Sequence, residues 1–396
     1  MAKTKIALRH SIALLSAGIA MAGLSATASA AQQGVTDSEI IIGTHTALSG
    51  PVAPWGVGSI NGIRMRFEEV NREGGIHGRK LRFVVEDNQY QVPRAVQAVN
   101  KLLNRDKIFA MLAGLGTPMN NAVFKRQFSA NVPNLFPFSA ARQMAEPFHR
   151  LKFAGGSTYY AQIRAGIAHF VNQKGKQNVC SMYQDSDFGR EIHFGVVDQV
   201  KAMGMKLVSE TAHKPTDTDF SAAMLKHQQA GCDLIAMGTI IRDTILPMAT
   251  AKKMDWDVTF LGSIATFDAI VAGAKGGVTE GFYAMTWFEM PYEDAELATL
   301  RQWYADYKEQ FGDGPNQAAM LGYILADITV LGLDRAGRDL TVDSLVEGLE
   351  SIKGYRDKFG GPIQSFSPDK HQGSDQAYLS VVKDGRWVKA TGNLGY

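Results

Sequence analysis

The sequence predicts an α/β protein of two doubly wound, Rossmann-like lobes joined by a hinge of three chain crossings. Strand-length apolar runs alternate with helix-length stretches in two successive series. The runs are continuous rather than alternating in polarity, which marks parallel strands covered on both faces. With 396 residues, 45% of them apolar and 20% charged, the chain is long enough for two cores.

The first 30 residues read as an export leader. Lys3, Lys5 and Arg9 form a basic start, residues 12–24 an apolar run too short to span a bilayer, and Ala28-Ser29-Ala30 a small-residue cleavage site. No Cys follows that site, so no lipid anchor is encoded and the product is expected to be released into the periplasm. Removing the leader takes away three basic and no acidic residues, so the net charge of +2 becomes −1. A chain this close to neutral offers no basic face for nucleic acid.

The first series begins with a strand at 40–44 that empties into a loop, Ser49-Gly-Pro-Val-Ala-Pro-Trp55-Gly56, broken by two prolines. Helices follow at 58–72, 93–104 and 118–129, with strands at 81–86, 109–113, 134–136 and 151–153. After Gly155-Gly156 the second series has helices at 158–173, 188–203, 219–229 and 241–253, a short helix from Phe267, and strands at 179–183, 205–210, 233–237 and 258–261. The remainder has a strand at 281–288, helices at 293–310, 315–336 and 341–350, and a hairpin at 377–389 turning at Asp384-Gly385. These pieces are too few for a third core and complete the two lobes. The expected division is 31–154 with 284–362, and 155–283 with 363–396, with crossings near 153–156, 281–285 and 360–366.

Ligands of open α/β sheets bind beyond the carboxyl ends of the strands. In Gly114-Leu-Gly116-Thr-Pro-Met119 the third Gly of a dinucleotide loop and the Lys of a P-loop are missing. Thr117 reads instead as an N-cap with Pro118 in the first turn; it either caps its own helix or leaves free N–H groups for a carboxylate. Phe138 and Ser139 repeat the arrangement one strand later, as apolar wall and hydroxyl donor, with Arg142 either a cation at the site or a solvated helix-start residue. Phe188, after the strand at 179–183, either faces the cleft or packs on its own helix. No G-x-S-x-G elbow or H-E-x-x-H occurs and the nine His are scattered, so neither an enzyme nor a metal site is expected, and no cofactor. Cys180 and Cys232 each lie beside a strand; two buried free thiols are the preferred reading, a disulfide requiring those strands to be neighbours.

The leader, Ser49-Gly-Pro-x-Ala-x-Trp-Gly56, Asn71-Arg-Glu-Gly-Gly-Ile-His-Gly78, the strand ending in Glu86-Asp87 and Asp187-Phe-Gly189 together resemble the Leu/Ile/Val-binding family of periplasmic receptors for ABC importers. The resemblance implies a type I binding-protein fold, a monomer whose lobes close on a small molecule and then dock on a membrane permease. It places ligand contacts at Trp55, Thr117, Phe138, Ser139, Ala140, Phe188, Ile240 and Tyr323. One position departs. After Phe260-Leu-Gly262, where amino-acid binders of the family carry an acid for the ligand's ammonium, this chain has Ser263-Ile264-Ala265. An ammonium facing Ile264 would be an unpaired buried charge. The expected cargo is therefore a small hydrophobic or aromatic carboxylate without an amine; Asp187 or Asp268 as a substitute acid keeps branched-chain amino acids as the alternative.

Overall fold

The computed structural model describes residues 32–396; the expected leader and its cleavage site lie outside the described residues. In chain order the first series is β1 (Glu39–Thr46), α1 (Ala53–Arg72), β2 (Lys80–Asp87), α2 (Val92–Asn104), β3 (Ala110–Leu112), α3 (Thr117–Ser129), β4 (Asn134–Leu135) and β5 (Lys152–Phe153). These strands form a parallel sheet in the order β2-β1-β3-β4-β5. The second series is α4 (Tyr159–Lys174), β6 (Val179–Gln184), α5 (Asp187–Ala202), β7 (Ser209–His213), α6 (Ser221–Gln229), β8 (Leu234–Gly238), α7 (Ile241–Lys253), β9 (Thr259–Gly262), α8 (Ala269–Ala272) and β10 (Tyr283–Thr286). Then come α9 (Ala298–Phe311), α10 (Gln317–Arg335), α11 (Val342–Glu350), β11 (Tyr378–Lys383) and β12 (Arg386–Asn393). The second sheet runs β12-β11-β10-β9-β8-β6-β7, parallel except for the antiparallel β10-β11-β12 edge.

Successive residues of β1 show why its apolar run is continuous. Ile40 and Ile42 pack with Ile63 and Phe67 of α1, whereas Ile41 packs with Val99, Leu102 and Leu103 of α2 on the opposite face. Helices cover both faces, as a parallel sheet requires. The closest helix pairing is α1 on α10. A Cβ on Gly62 would stand 1.8 Å from the Ala319 carbonyl oxygen, and one on Gly322 2.3 Å from that of Ser59. Backbone therefore meets backbone, and the start of α10 is drawn up against the start of α1, where Asn316 Nδ2 donates to the Pro54 carbonyl at 2.9 Å.

Four expectations are corrected. Trp55 belongs to the first turn of α1, not a loop: Pro54 is pre-set for a helix start, and the helix opens at Ala53, five residues before the sequence places it. Residues 205–208 are not strand; β7 begins at Ser209, paired with Cys180, after a left-handed turn at Gly204. Gly360-Gly361 is not a crossing but a turn closed by Asp357, which accepts from the N–H groups of Phe359 and Gly361. The chain stays with the first sheet to Phe366, whose ring packs on Phe136 and Phe153. The fourth concerns the thiols: Cys180 and Cys232 are joined in a disulfide. In the sheet β6 pairs with β8, so Val179 is opposite Leu234 and the two Cα atoms come within 5.9 Å.

The hairpin turns at Asp384 and Gly385, both left-handed as a tight type I′ turn requires. Two crossings lie side by side: the Ala154 N–H donates to the His371 carbonyl, and the Gly373 N–H returns to that of Ala154. Trp287, just after β10, lies against the left-handed Gly156, where a Cβ would fall 2.2 Å from its ring. β10 remains in the second sheet through Thr286, so its crossing follows that residue.

Candidate functional site

At the carboxyl ends of β3 and β4 the backbone turns sharply. Ala113 and Phe136 both take positive φ, 54° and 48°, although neither is Gly. Each such residue costs about 1–3 kcal/mol and persists where the surroundings enforce it. Here the ladder does so: the Ala113 N–H donates to Leu135 and that of Phe136 to Phe153. The strain directs Pro137-Phe138-Ser139-Ala140 across the mouth of the sheet.

That segment forms one wall of a cavity enclosing about 600 Å³ of space free of protein atoms, part of it open to solvent. Trp55 and the α10 residues Gln317, Leu321 and Leu325 form a second wall. Tyr159, Ile264 and Ala265 face them from the second lobe, with Gly155, Trp287 and Phe288 at the hinge. Among the described residues, no lining side chain carries a formal charge at neutral pH. Polar groups are few: the Ser139 hydroxyl, the Tyr159 phenol, the Gln317 amide and two indole N–H groups. Burial pushes the Tyr159 phenol up to about 12, partly opposed by bonds from the Ala140 backbone and the Ser139 hydroxyl, so it stays protonated.

Of the expected ligand contacts, Trp55, Phe138, Ser139, Ala140 and Ile264 line this cavity. Thr117 stands one layer behind. It does not cap α3: Gly116, at φ 102°, is the cap residue, and the Thr117 hydroxyl instead bonds that of Ser139 at 2.7 Å. Phe188 is buried behind Tyr159, edge-on at 5.3 Å. Ile240 is 1% exposed and precedes α7, outside the lining. Tyr323 points away from the cavity, donating to Glu69 at 2.6 Å and accepting from Lys358 at 2.8 Å. Arg142 is not a free cation; its partly exposed guanidinium forks onto Glu191 of α5 and stacks 3.6 Å above the Tyr160 ring.

Two acids stood open as substitutes. Asp187 accepts from Asn121 at 2.9 Å and does not line the cavity. Asp268 lies directly behind the lining. Its Oδ2 accepts the Trp55 indole N–H at 2.6 Å and the Gln317 amide N–H, and its Oδ1 accepts the Ile270 N–H at 2.7 Å. Burial raises its pKa, and these three bonds oppose the shift. Among the described residues no cation pairs with it.

The arrangement thus comprises two doubly wound lobes, a crevice at the strand ends and an uncharged cavity between them. A sequence model described as a periplasmic binding protein matches residues 39–386. The chain belongs to the periplasmic binding protein family. Within it, the chain is of type I and resembles the Leu/Ile/Val-binding proteins. It is 21% identical over 325 residues to the leucine-specific-binding protein of Salmonella typhimurium, covering 82% of this chain and 88% of that one. A fatty acid ABC transporter substrate-binding protein from Thermomonospora curvata superposes with a TM-score of 0.83 at 23% identity, over 92% and 94% of the two chains. A solute-binding protein from R. palustris in complex with benzoate gives 0.78 at 16% identity, over 90% and 96%. Members of this family bind solutes for transport and are not enzymes.

Tyr159, Trp287, Phe288 and Gln317 were not anticipated. Two sequence signals bear on them: Trp287-Phe288 ends a strand at a crossing, and Gln317 opens a helix capped by Asn316, whose side chain accepts the Ala319 N–H. Neither shows which wall the residue faces.

Proposed function

We propose that this protein is the periplasmic solute-binding component of an ABC importer, and that its cargo is a small hydrophobic or aromatic carboxylic acid without an amine. The carrying observation is the uncharged lining. A zwitterion would bring its ammonium against Ile264 and Ala265, with the nearest carboxylate, Asp268, already bonded and screened by Trp55 and Gln317. Burying such a charge unpaired costs several kcal/mol, and about 4 kcal/mol is a thousandfold in affinity. A carboxylate fares better, because neutral N–H and O–H donors stabilise it. Ser139 and Trp287 offer them, and Trp55, Phe138, Tyr159 and Phe288 surround an apolar or aromatic body. The fatty acid and benzoate receptors with this fold support the reading.

Branched-chain amino acids are the second reading, favoured by the buried Asp268 and the leucine-specific relative. A thermal-shift series with benzoate, 4-methylpentanoate and leucine separates the two. A ligand at a hundred times its Kd adds about 2.7 kcal/mol of stability. The acids are expected to raise the unfolding temperature and leucine to leave it in place; a rise with leucine alone would overturn the acid assignment.

A further inference from the structure

The uncharged lining has a direction built into it by the acid behind it. An indole N–H can only donate, so Asp268 Oδ2 is an acceptor, and the Gln317 amide must turn its NH2 group toward the same atom. The amide is planar, so Oε1 is its end away from Asp268. Gln317 is 6% exposed and lines the cavity, Asp268 does not, and Gln317 Oε1 is buried with no hydrogen-bond partner among the described residues. A carboxylate bonded to one end of an amide polarises it and strengthens the oxygen as an acceptor. At the hinge, Trp287 is 4% exposed, and its Nε1–H is likewise buried and unpartnered among the described residues. Buried groups of this kind are ordinarily satisfied, and a site built to bond a ligand's O–H or N–H rejects the analogue lacking it.

We propose that Gln317 Oε1 is a specificity determinant that accepts an O–H or N–H of the cargo, with Asp268 as the positioning residue that fixes the amide's orientation. The cargo class narrows to acids that carry a hydroxyl or another donor on their apolar body. This rests on the acid reading above. Trp287 Nε1–H complements the acceptor by donating to a ligand oxygen.

Calorimetric titration of the mature protein with benzoate, 3- and 4-hydroxybenzoate, 4-methylpentanoate and leucine tests it. At least one hydroxybenzoate is expected to bind tenfold or more tighter than benzoate. Gln317→Met, similar in length but without the acceptor, should bring that ratio near one, with the circular dichroism spectrum and unfolding temperature of the ligand-free variant as the control for folding. Asp268→Asn, which can bond either orientation of the amide, should shrink the ratio too; a residue that merely supported the fold would weaken both ligands alike. Equal affinity for benzoate and both hydroxybenzoates, or a ratio indifferent to Gln317→Met, overturns the proposal, and a ratio that survives Asp268→Asn overturns the positioning role. Leucine binding more tightly than every amine-free acid would instead overturn the function proposed above. The preference for leucine over 4-methylpentanoate in the same two variants would then decide Gln317's part on its own.

Discussion

His45 lies within the buried stretch of β1 with its ring beneath the loop that leads to α3, where a Cβ on Gly114 would lie 2.8 Å from Nε2. Its Nδ1 accepts from the Asn88 amide at 3.0 Å, which fixes the neutral tautomer, and burial lowers its pKa from 6.5 to about 4. The unfolded chain therefore takes up this proton before the folded one does. Stability is complete above pH 6.5 and falls as the pH drops toward 4, by up to about 3 kcal/mol from this group. His227, also lowered to about 4 by burial, acts in the same direction. His45→Gln should flatten the decline between pH 7 and 4 in urea unfolding; an unchanged pH slope would count against it. At this scale the wall residues Trp55, Phe138, Ser139, Ala140 and Ile264 were legible because each follows a strand end that had been located. Ile240 and Tyr323 were placed by family position alone, and Tyr323, two residues from both Leu321 and Leu325, lies on the opposite face of α10, where it bonds Glu69.

Among the elements, β6 and β8 are tied twice, by their parallel ladder and by the disulfide. Cys180 and Cys232 are 52 residues apart, and closing a loop of that length removes about 4 kcal/mol worth of unfolded-state entropy in the simplest estimate. The double variant Cys180→Ala, Cys232→Ala should lose stability on that order in denaturant unfolding, with the second lobe melting first. Stability equal to that of the oxidised protein would refute this. His227 lies beside the pair, its Nδ1 3.7 Å from Cys232 Sγ, but both sulfurs are committed to each other and offer no thiolate to a metal. The bridge was missed for a topological reason: apolar runs locate β6, β7 and β8, but nothing in them says that β8 inserts beside β6 and leaves β7 at the edge. For the same reason the glycines of α1 read only as weak helix formers, although Gly58 and Gly62 are what let α10 bring Gln317 beside Trp55.

Across the whole molecule, side chains bridge the two sheets' elements around the cavity: Arg142 to Glu191, Asn121 to Asp187, and Trp55 and Gln317 to Asp268. Bridges of this kind favour the closed arrangement of the lobes, and cargo affinity depends on how much of the free protein is closed. The dissociation constant rises in inverse proportion to the closed fraction. The Glu191 side chain is 1% exposed and takes three bonds from Arg142, two from the guanidinium and one from the backbone N–H. Opening the cleft would return both charges to water, so the net worth of the pair is modest, about 1.5–3 kcal/mol for a charge-assisted bond. Glu191→Gln keeps the shape and removes the charge. It should expand the ligand-free protein in small-angle scattering and weaken cargo binding by about tenfold, roughly 1.4 kcal/mol, while saturating cargo restores the compact scattering curve. If Glu191→Gln left both the radius of gyration and the Kd as they are in the parent protein, closure would rest on the Asn121–Asp187 and Asp268 bonds instead.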